Sequence, residues 1–156
     1  MFDLKQLRAV GAMVAKQARE KAAAEPEAAN DIIDMSPLLA PWKAGTAEKP
    51  VEHKLGDIVA YADMPWHCLV AHTHRGEPDW EPNGLTAFWA QYHGRDAAHA
   101  LPFRSEGHNP YNEGHWMLWT DGWRYRSTMN TNTWSPVDYP SGWAGPFDSE
   151  GNKVIV

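Results

Sequence analysis

One pattern occurs twice in this chain, and that repetition constrains the fold more than any other feature. Residues 55–93 can be laid against 111–147. Gly56-Asp57-Ile58-Val59-Ala60-Tyr61 then corresponds to Gly114-His115-Trp116-Met117-Leu118-Trp119. A turn residue follows in each, Asp63 or Asp121, and then an aromatic, Trp66 or Tyr125. Each stretch closes alike: Trp80-Glu81-Pro82 leads to Trp89, and Trp134-Ser135-Pro136 leads to Trp143. The interval from proline to tryptophan is seven residues in both. Repetition of this kind is the signature of a duplicated structural unit.

Elementary rules describe what one unit must look like. The glycine supplies a turn before a strand in which alternate residues share a face, so 59 and 61 (or 117 and 119) point the same way. The acidic turn residue closes a hairpin. Proline cannot donate to a ladder, so the W-x-P stretch should cross the hairpin as extended coil, bringing the last Trp onto its inner face. Val59, Tyr61, Trp89, Met117, Trp119 and Trp143 are therefore the expected core.

The remainder of the chain differs in kind. All nine Trp lie beyond residue 40, and the first forty positions hold only Phe2 as an aromatic. Leu4, Leu7, Gly11, Val14 and Ala18 follow helical spacing, which predicts a helix over 3–24 with a narrow stripe of mostly small residues. It either lies on its own domain or joins an oligomer, since a helix this weak rarely persists alone. A second short helix is expected around Glu27–Met35, ended by Pro37. Three prolines and a glycine in residues 36–52 predict an extended connector. The fold class is then α+β: a helical oligomerisation or anchoring segment (1–35), a Pro-rich linker (36–52) and two small antiparallel β modules in tandem. The modules occupy 53–100 and 101–156, the latter including a C-terminal tail.

Charge and cysteine content narrow the functions. A net charge of −6 without any Lys/Arg run argues against nucleic-acid binding. No stretch reaches the ~20 apolar residues of a membrane span. The single cysteine, Cys68, excludes an intrachain disulfide framework and points to synthesis in a reducing cytosol. Modules this small are marginal alone, so self-association is expected. His67, His72 and His74 lack the converging ligands of a zinc site, so no metal or other cofactor is expected. Glu77, Asp79 and Glu81 sit in one loop, whereas a glycosidase pair must face across a cleft. No catalytic residues are assigned.

Several of these residues resemble a known family. LGDIVAYADMPWHCLVAHT, followed by W-x-P and FWAQ, is similar to the chitin-binding-type modules of carbohydrate-binding families 5 and 12. It looks most like the form found in phage tail proteins, where a G-D-x-V-x-Y strand leads to a C-x-x-A-H-T turn and a closing Trp. YNEGHWMLWTDGWRYRST, followed by TWSPVDYPSGW, resembles the second module of such proteins, and Trp42-Lys43-Ala44-Gly45 matches their linker. The adjacent aromatic pair of chitinase modules is missing: Leu69-Val70-Ala71 and Thr128-Met129-Asn130 stand there.

The resemblance implies a non-enzymatic bacteriophage virion protein of tail, baseplate or spike. It would be made in the bacterial cytoplasm and exposed on the particle. Its partners would be a host-surface glycan, other virion proteins and copies of itself, a trimer being favoured. The alternative is an architectural virion protein whose modules dock other proteins. Exposed Trp rings stack on sugar faces, and the second copy is richer in unmatched aromatics. The expected carbohydrate site is Trp116, Trp123, Tyr125, Trp134 and Tyr139, with Arg124, Asn130, Asn132 and Asp138 as hydrogen-bonding side chains. For Trp116 and Trp123 the alternative is packing against the N-terminal segment or a neighbouring subunit.

Overall fold

The computed structural model describes residues 28–155. The helix expected over 3–24 lies outside them. Over the described residues the fold is α+β, mostly small antiparallel sheets with one short helix, and contacts divide the chain between Tyr92 and His93.

In the first unit, helix α1 (Ala29–Asp34) stands inside the stretch read as helical. It buries Ile32 against Leu39 and Ile58, with Met35, Ala60 and Tyr92 around them. A 3-10 turn at Ser36–Leu38 follows, with Pro37 in its first turn, where a missing N–H costs nothing. The proline-rich stretch then folds into the unit instead of spanning open space. The Ala60 N–H donates to the Ala40 carbonyl at 2.9 Å, and the Trp42 N–H donates to the Ala60 carbonyl at 2.8 Å. Trp42 thereby joins the core, and strand β1 (Val51–His53) ends the segment. The three prolines suggested a connector, but proline also suits a sheet edge whose N–H positions face outward.

Strands β2 (Ile58–Tyr61) and β3 (Met64–Cys68) form the expected hairpin. Ala62 and Asp63 both take positive φ, 51° and 60°, the backbone that matches the twist of a two-residue hairpin. β4 (His72–His74) pairs with β1, and β5 (Trp89–Gln91) pairs with β3 so that Cys68 faces Trp89. Val59, Trp66, Cys68 and Trp89 are the buried centre, and Trp42, Tyr61, Met64 and Phe88 pack around it. Tyr61 is half-buried rather than enclosed.

The second unit is a four-stranded sheet in the order β6 (Leu101–Pro102), β7 (Trp116–Leu118), β8 (Arg124–Ser127), β9 (Trp143–Phe147). β6 runs parallel to β7, and the remaining pairs are antiparallel. The core is Tyr111, Met117 and Trp143, with Phe103, Trp119 and Tyr125 packed on it. Tyr111 and Phe103 stack at 5.6 Å, and Trp143 meets Tyr111 edge-on at 5.3 Å. Trp119 is half-buried, as Tyr61 is.

The two hairpins share local geometry. Gly56 and Gly114 sit at φ 85° and 87°, where an L side chain would be strained. The Gly56 N–H donates to the Cys68 carbonyl and the Gly114 N–H to the Ser127 carbonyl, both at 2.9 Å. Neither W-x-P segment is a strand.

Candidate functional site

Six consecutive residues of the second unit, Trp134 to Tyr139, project aromatic surface into solvent while their backbone is held on several sides. The Trp134 N–H donates to the Asn132 Oδ1 at 3.1 Å. Its carbonyl accepts the indole N–H of the core residue Trp143 at 2.9 Å. The Tyr139 N–H closes a turn on the Ser135 carbonyl at 3.0 Å, and the Asp138 N–H donates to Ser135 Oγ at 2.9 Å. Pro136 and Pro140 bracket the loop and limit its backbone freedom. Gly142, whose N–H donates to the Tyr139 carbonyl at 3.1 Å, returns the chain to β9.

Asn132 anchors this arrangement. It is fully buried, and its Nδ2 donates to Ser127 Oγ at 3.1 Å and to the Gly142 carbonyl at 2.9 Å. Its backbone exchanges both hydrogen bonds with Tyr111. Three separated segments therefore meet at one amide.

On this frame the Trp134 side chain is 54% exposed and Tyr139 40% exposed. Their rings lie 6.4 Å apart at 79°, forming two walls of a corner. Trp134, Asp138 and Tyr139 line a shallow depression of about 260 Å³. Among the described residues no cation pairs with the Asp138 carboxylate. A rigid, open aromatic corner with one acid at its edge can bind the apolar face or a charged substituent of a ligand.

The other expected site residues lie elsewhere. Trp116 is only 8% exposed. Strand alternation does turn it away from Met117, but that face is covered too: Phe147 of β9 packs at 5.0 Å, and the Arg126 guanidinium sits 5.8 Å over the ring. Tyr125 is a packing residue whose hydroxyl donates to Asp121 Oδ2 at 2.7 Å. Burial, and then that hydrogen bond, push its phenol up to about 12. Trp123 is half-buried beside the turn, its N–H held by Asp121 Oδ1 at 2.8 Å. Asn132 is buried structure instead of a free hydrogen-bonding group. The Asn130 Oδ1 is engaged by the Glu113 N–H at 3.1 Å. The structure thus brings together Trp134, Tyr139 and Asp138 and leaves Trp116, Trp123 and Tyr125 outside. Ser135 was missed, although a Ser three residues before an Asp, with Pro between, is a legible turn signal.

In the first unit, Trp80 is half-buried and turned onto its own unit, 5.1 Å from Phe88 and 6.2 Å from His72. A larger cleft of about 550 Å³ runs past Pro37, Pro41, Trp42, Tyr61 and Asp63. Trp42 stacks on His53 and is met edge-on by Tyr61, so its ring faces are already occupied.

The histidines of this unit serve the backbone. His74 Nδ1 accepts from the Gly45 N–H at 2.9 Å while its Nε2 donates to the Glu77 carbonyl at 2.9 Å, which fixes one neutral tautomer. His53 Nε2 donates to the Lys43 carbonyl at 3.1 Å; burial, then the neighbouring His72, hold its pKa below the usual histidine value. Cys68 Sγ and His72 Nδ1 both point at the Val70 carbonyl, at 3.1 and 2.7 Å. Cys68 Sγ also lies 3.9 Å from His72 Nδ1, and burial pushes the Cys68 thiol up. Among the described residues, no three His, Cys, Asp or Glu side chains converge to hold a metal ion, and no helix is long and apolar enough to cross a membrane.

The chain matches no known family model and no curated protein.

Proposed function

We propose that this chain is a non-enzymatic bacteriophage virion protein of tail, baseplate or spike. In this reading its two units are tandem copies of a carbohydrate-binding-type module, and the second recognises a host-surface glycan during adsorption. The observation that carries the reading is the Trp134–Tyr139 corner: two large rings open to solvent on a loop clamped by Asn132 and Trp143. Exposed aromatics usually come at a solvation cost, and rigid ones suit recognition because little side-chain freedom is lost on binding.

Duplication is supported by more than the spaced tryptophans. Trp89 opposes Cys68 as Trp143 opposes Ser127. The Leu69 N–H donates to the Phe88 carbonyl as the Thr128 N–H does to that of Gly142. The likeness extends upstream of the expected first module: Trp42 and Phe103 both donate their N–H to the second strand and cap its end aromatic, Tyr61 or Trp119, edge-on. In this view Ala40-Pro41-Trp42 and Leu101-Pro102-Phe103 are equivalent first strands, and the first module begins at Ala40. Trp80 packs inward where Trp134 faces out, which favours the second unit as the recognising one.

A shallow site buries little area, so single-site affinity will be low, and adsorption would rest on many copies acting together. Self-association, a trimer being favoured, belongs to the same proposal. The test is a glycan array or whole-cell pull-down with the full chain, comparing Trp134→Ala and Tyr139→Ala with Trp123→Ala. Loss of binding in the first two alone supports the reading. The second reading, protein docking, draws on the 73% exposed Val137 within the same loop. Retention of purified virion proteins without binding to any host envelope glycan would favour it.

A further inference from the structure

The shape of the corner bears on which glycan it takes. Resting on the proposal that this is the recognition site, we infer that it holds a quaternary ammonium substituent carried by the glycan, rather than the face of a neutral sugar ring.

A pyranose ring stacks on a flat aromatic face and spreads its equatorial hydroxyls to hydrogen-bonding side chains around the rim. Here the two rings stand at 79° with centroids 6.4 Å apart, so they form two walls and no plane. The only side chain with a formal charge in the depression is Asp138, and its carboxylate has no cation partner among the described residues. Of the side chains expected to offer hydrogen bonds, Asn132 is engaged by Ser127 and Gly142, Arg124 donates to the Gly122 carbonyl, and the Asn130 Oδ1 accepts from the Glu113 N–H.

A trimethylammonium group suits these features together. It is nearly spherical, so it touches two perpendicular walls at once. It offers no N–H and so needs no hydrogen-bond acceptors in fixed directions. Its positive charge is attracted by the negative faces of Trp and Tyr within about 6 Å. Asp138 adds an opposite charge at the rim, and the chain's net charge of −6 does not oppose a cation. A primary ammonium fits less well, since only one carboxylate, that of Asp138, lines the depression to replace water on its three N–H groups.

The experiment titrates the full chain with choline chloride, following tryptophan fluorescence and heat. Parallel titrations use the uncharged isostere 3,3-dimethylbutanol, glucosamine hydrochloride and N-acetylglucosamine oligomers, all at fixed ionic strength. Choline should bind at millimolar or tighter levels, the isostere and glucosamine at least about tenfold more weakly. Trp134→Ala and Tyr139→Leu should abolish choline binding, and Asp138→Asn should weaken it about three- to tenfold. Circular dichroism and melting of these surface variants should match wild type, which separates loss of the site from loss of the fold.

Equal binding of isostere and choline, or of glucosamine and choline, would overturn the inference. Binding of the neutral oligomers through Trp134 without choline binding would overturn it too and leave the glycan reading standing. No binding by any of these ligands, together with no signal on host glycans, would remove both. Attachment to phosphatidylcholine vesicles with no binding to a phosphocholine-bearing polysaccharide would overturn the glycan-borne source.

Discussion

Asn132→Ala tests whether the aromatic corner and the core of the second unit depend on one side chain. The amide is fully buried and makes three hydrogen bonds: to Ser127 Oγ, to the Gly142 carbonyl and from the Trp134 N–H. Each contributes about 1 kcal/mol net. Two of the orphaned partners have substitutes, because Ser127 Oγ still donates to the Met129 carbonyl and the Gly142 carbonyl still accepts from the Thr128 N–H. Only the Trp134 N–H is left without one. Together with the space opened beside Gly142, the expected loss is about 3 kcal/mol. A unit of this size has only roughly 3–10 kcal/mol in all.

The change should be read by urea unfolding of the full chain, with hydrogen exchange assigning the loss to residues of the second unit. Asn132→Asp sharpens the test. It keeps an acceptor for the Trp134 N–H but faces the two acceptors with a carboxylate, so it should be the worse variant at neutral pH and recover partly on acidification. A loss below about 1 kcal/mol for the alanine variant, or an aspartate variant as stable as wild type at neutral pH, would refute the reasoning.

Other outcomes follow from the same structure. Trp89→Ala and Trp143→Ala should each cost about 3–5 kcal/mol and unfold their own unit, and a melting temperature within a few degrees of wild type would contradict that. Trp116→Ala should destabilise the second unit by about 2 kcal/mol or more in chemical denaturation, whereas Trp134→Ala should change stability by less than about 0.5 kcal/mol. His115 is held down to about 3 by burial, then by the nearby charges of Arg95 and His93. The unfolded imidazole gains a proton below pH 6.5 and the folded one does not, so this residue should remove about 2–3 kcal/mol of stability between pH 6.5 and 4.5. His115→Asp should flatten that slope in a pH series of melts, because Asp57 accepts the equivalent backbone N–H, that of Lys54, in the first unit.

Much of the architecture could be read from residues close together in the chain. Gly56 and Gly114 announced their turns because positive φ is a property of one residue, and Asp63 and Asp121 marked hairpins because a tight turn involves only its neighbours. The spacing from proline to Trp89 and Trp143 was legible for the same reason: a short extended crossing has a fixed reach. Burial of Met117 and Val59 followed from alternation once one face was known to be inward. Each inference needs only local backbone geometry, which sequence order preserves.

What escaped the sequence depended on which distant residues cover a surface. Trp116 was expected to be open because it points away from the core, yet Phe147 arrives from the last strand and covers it. Trp42 stood in a run of prolines, and only pairing with Ala60 makes it a core residue. Asn132 could not be told from a surface asparagine, since its role exists only where Ser127, Gly142 and Trp134 converge. Trp80 and Trp134 occupy matching places in matching motifs, but one packs on Phe88 and His72 and the other faces solvent. Local sequence sets which way a side chain leaves its strand or loop; whether it then meets water or another ring is decided by chain segments that only the tertiary fold brings beside it.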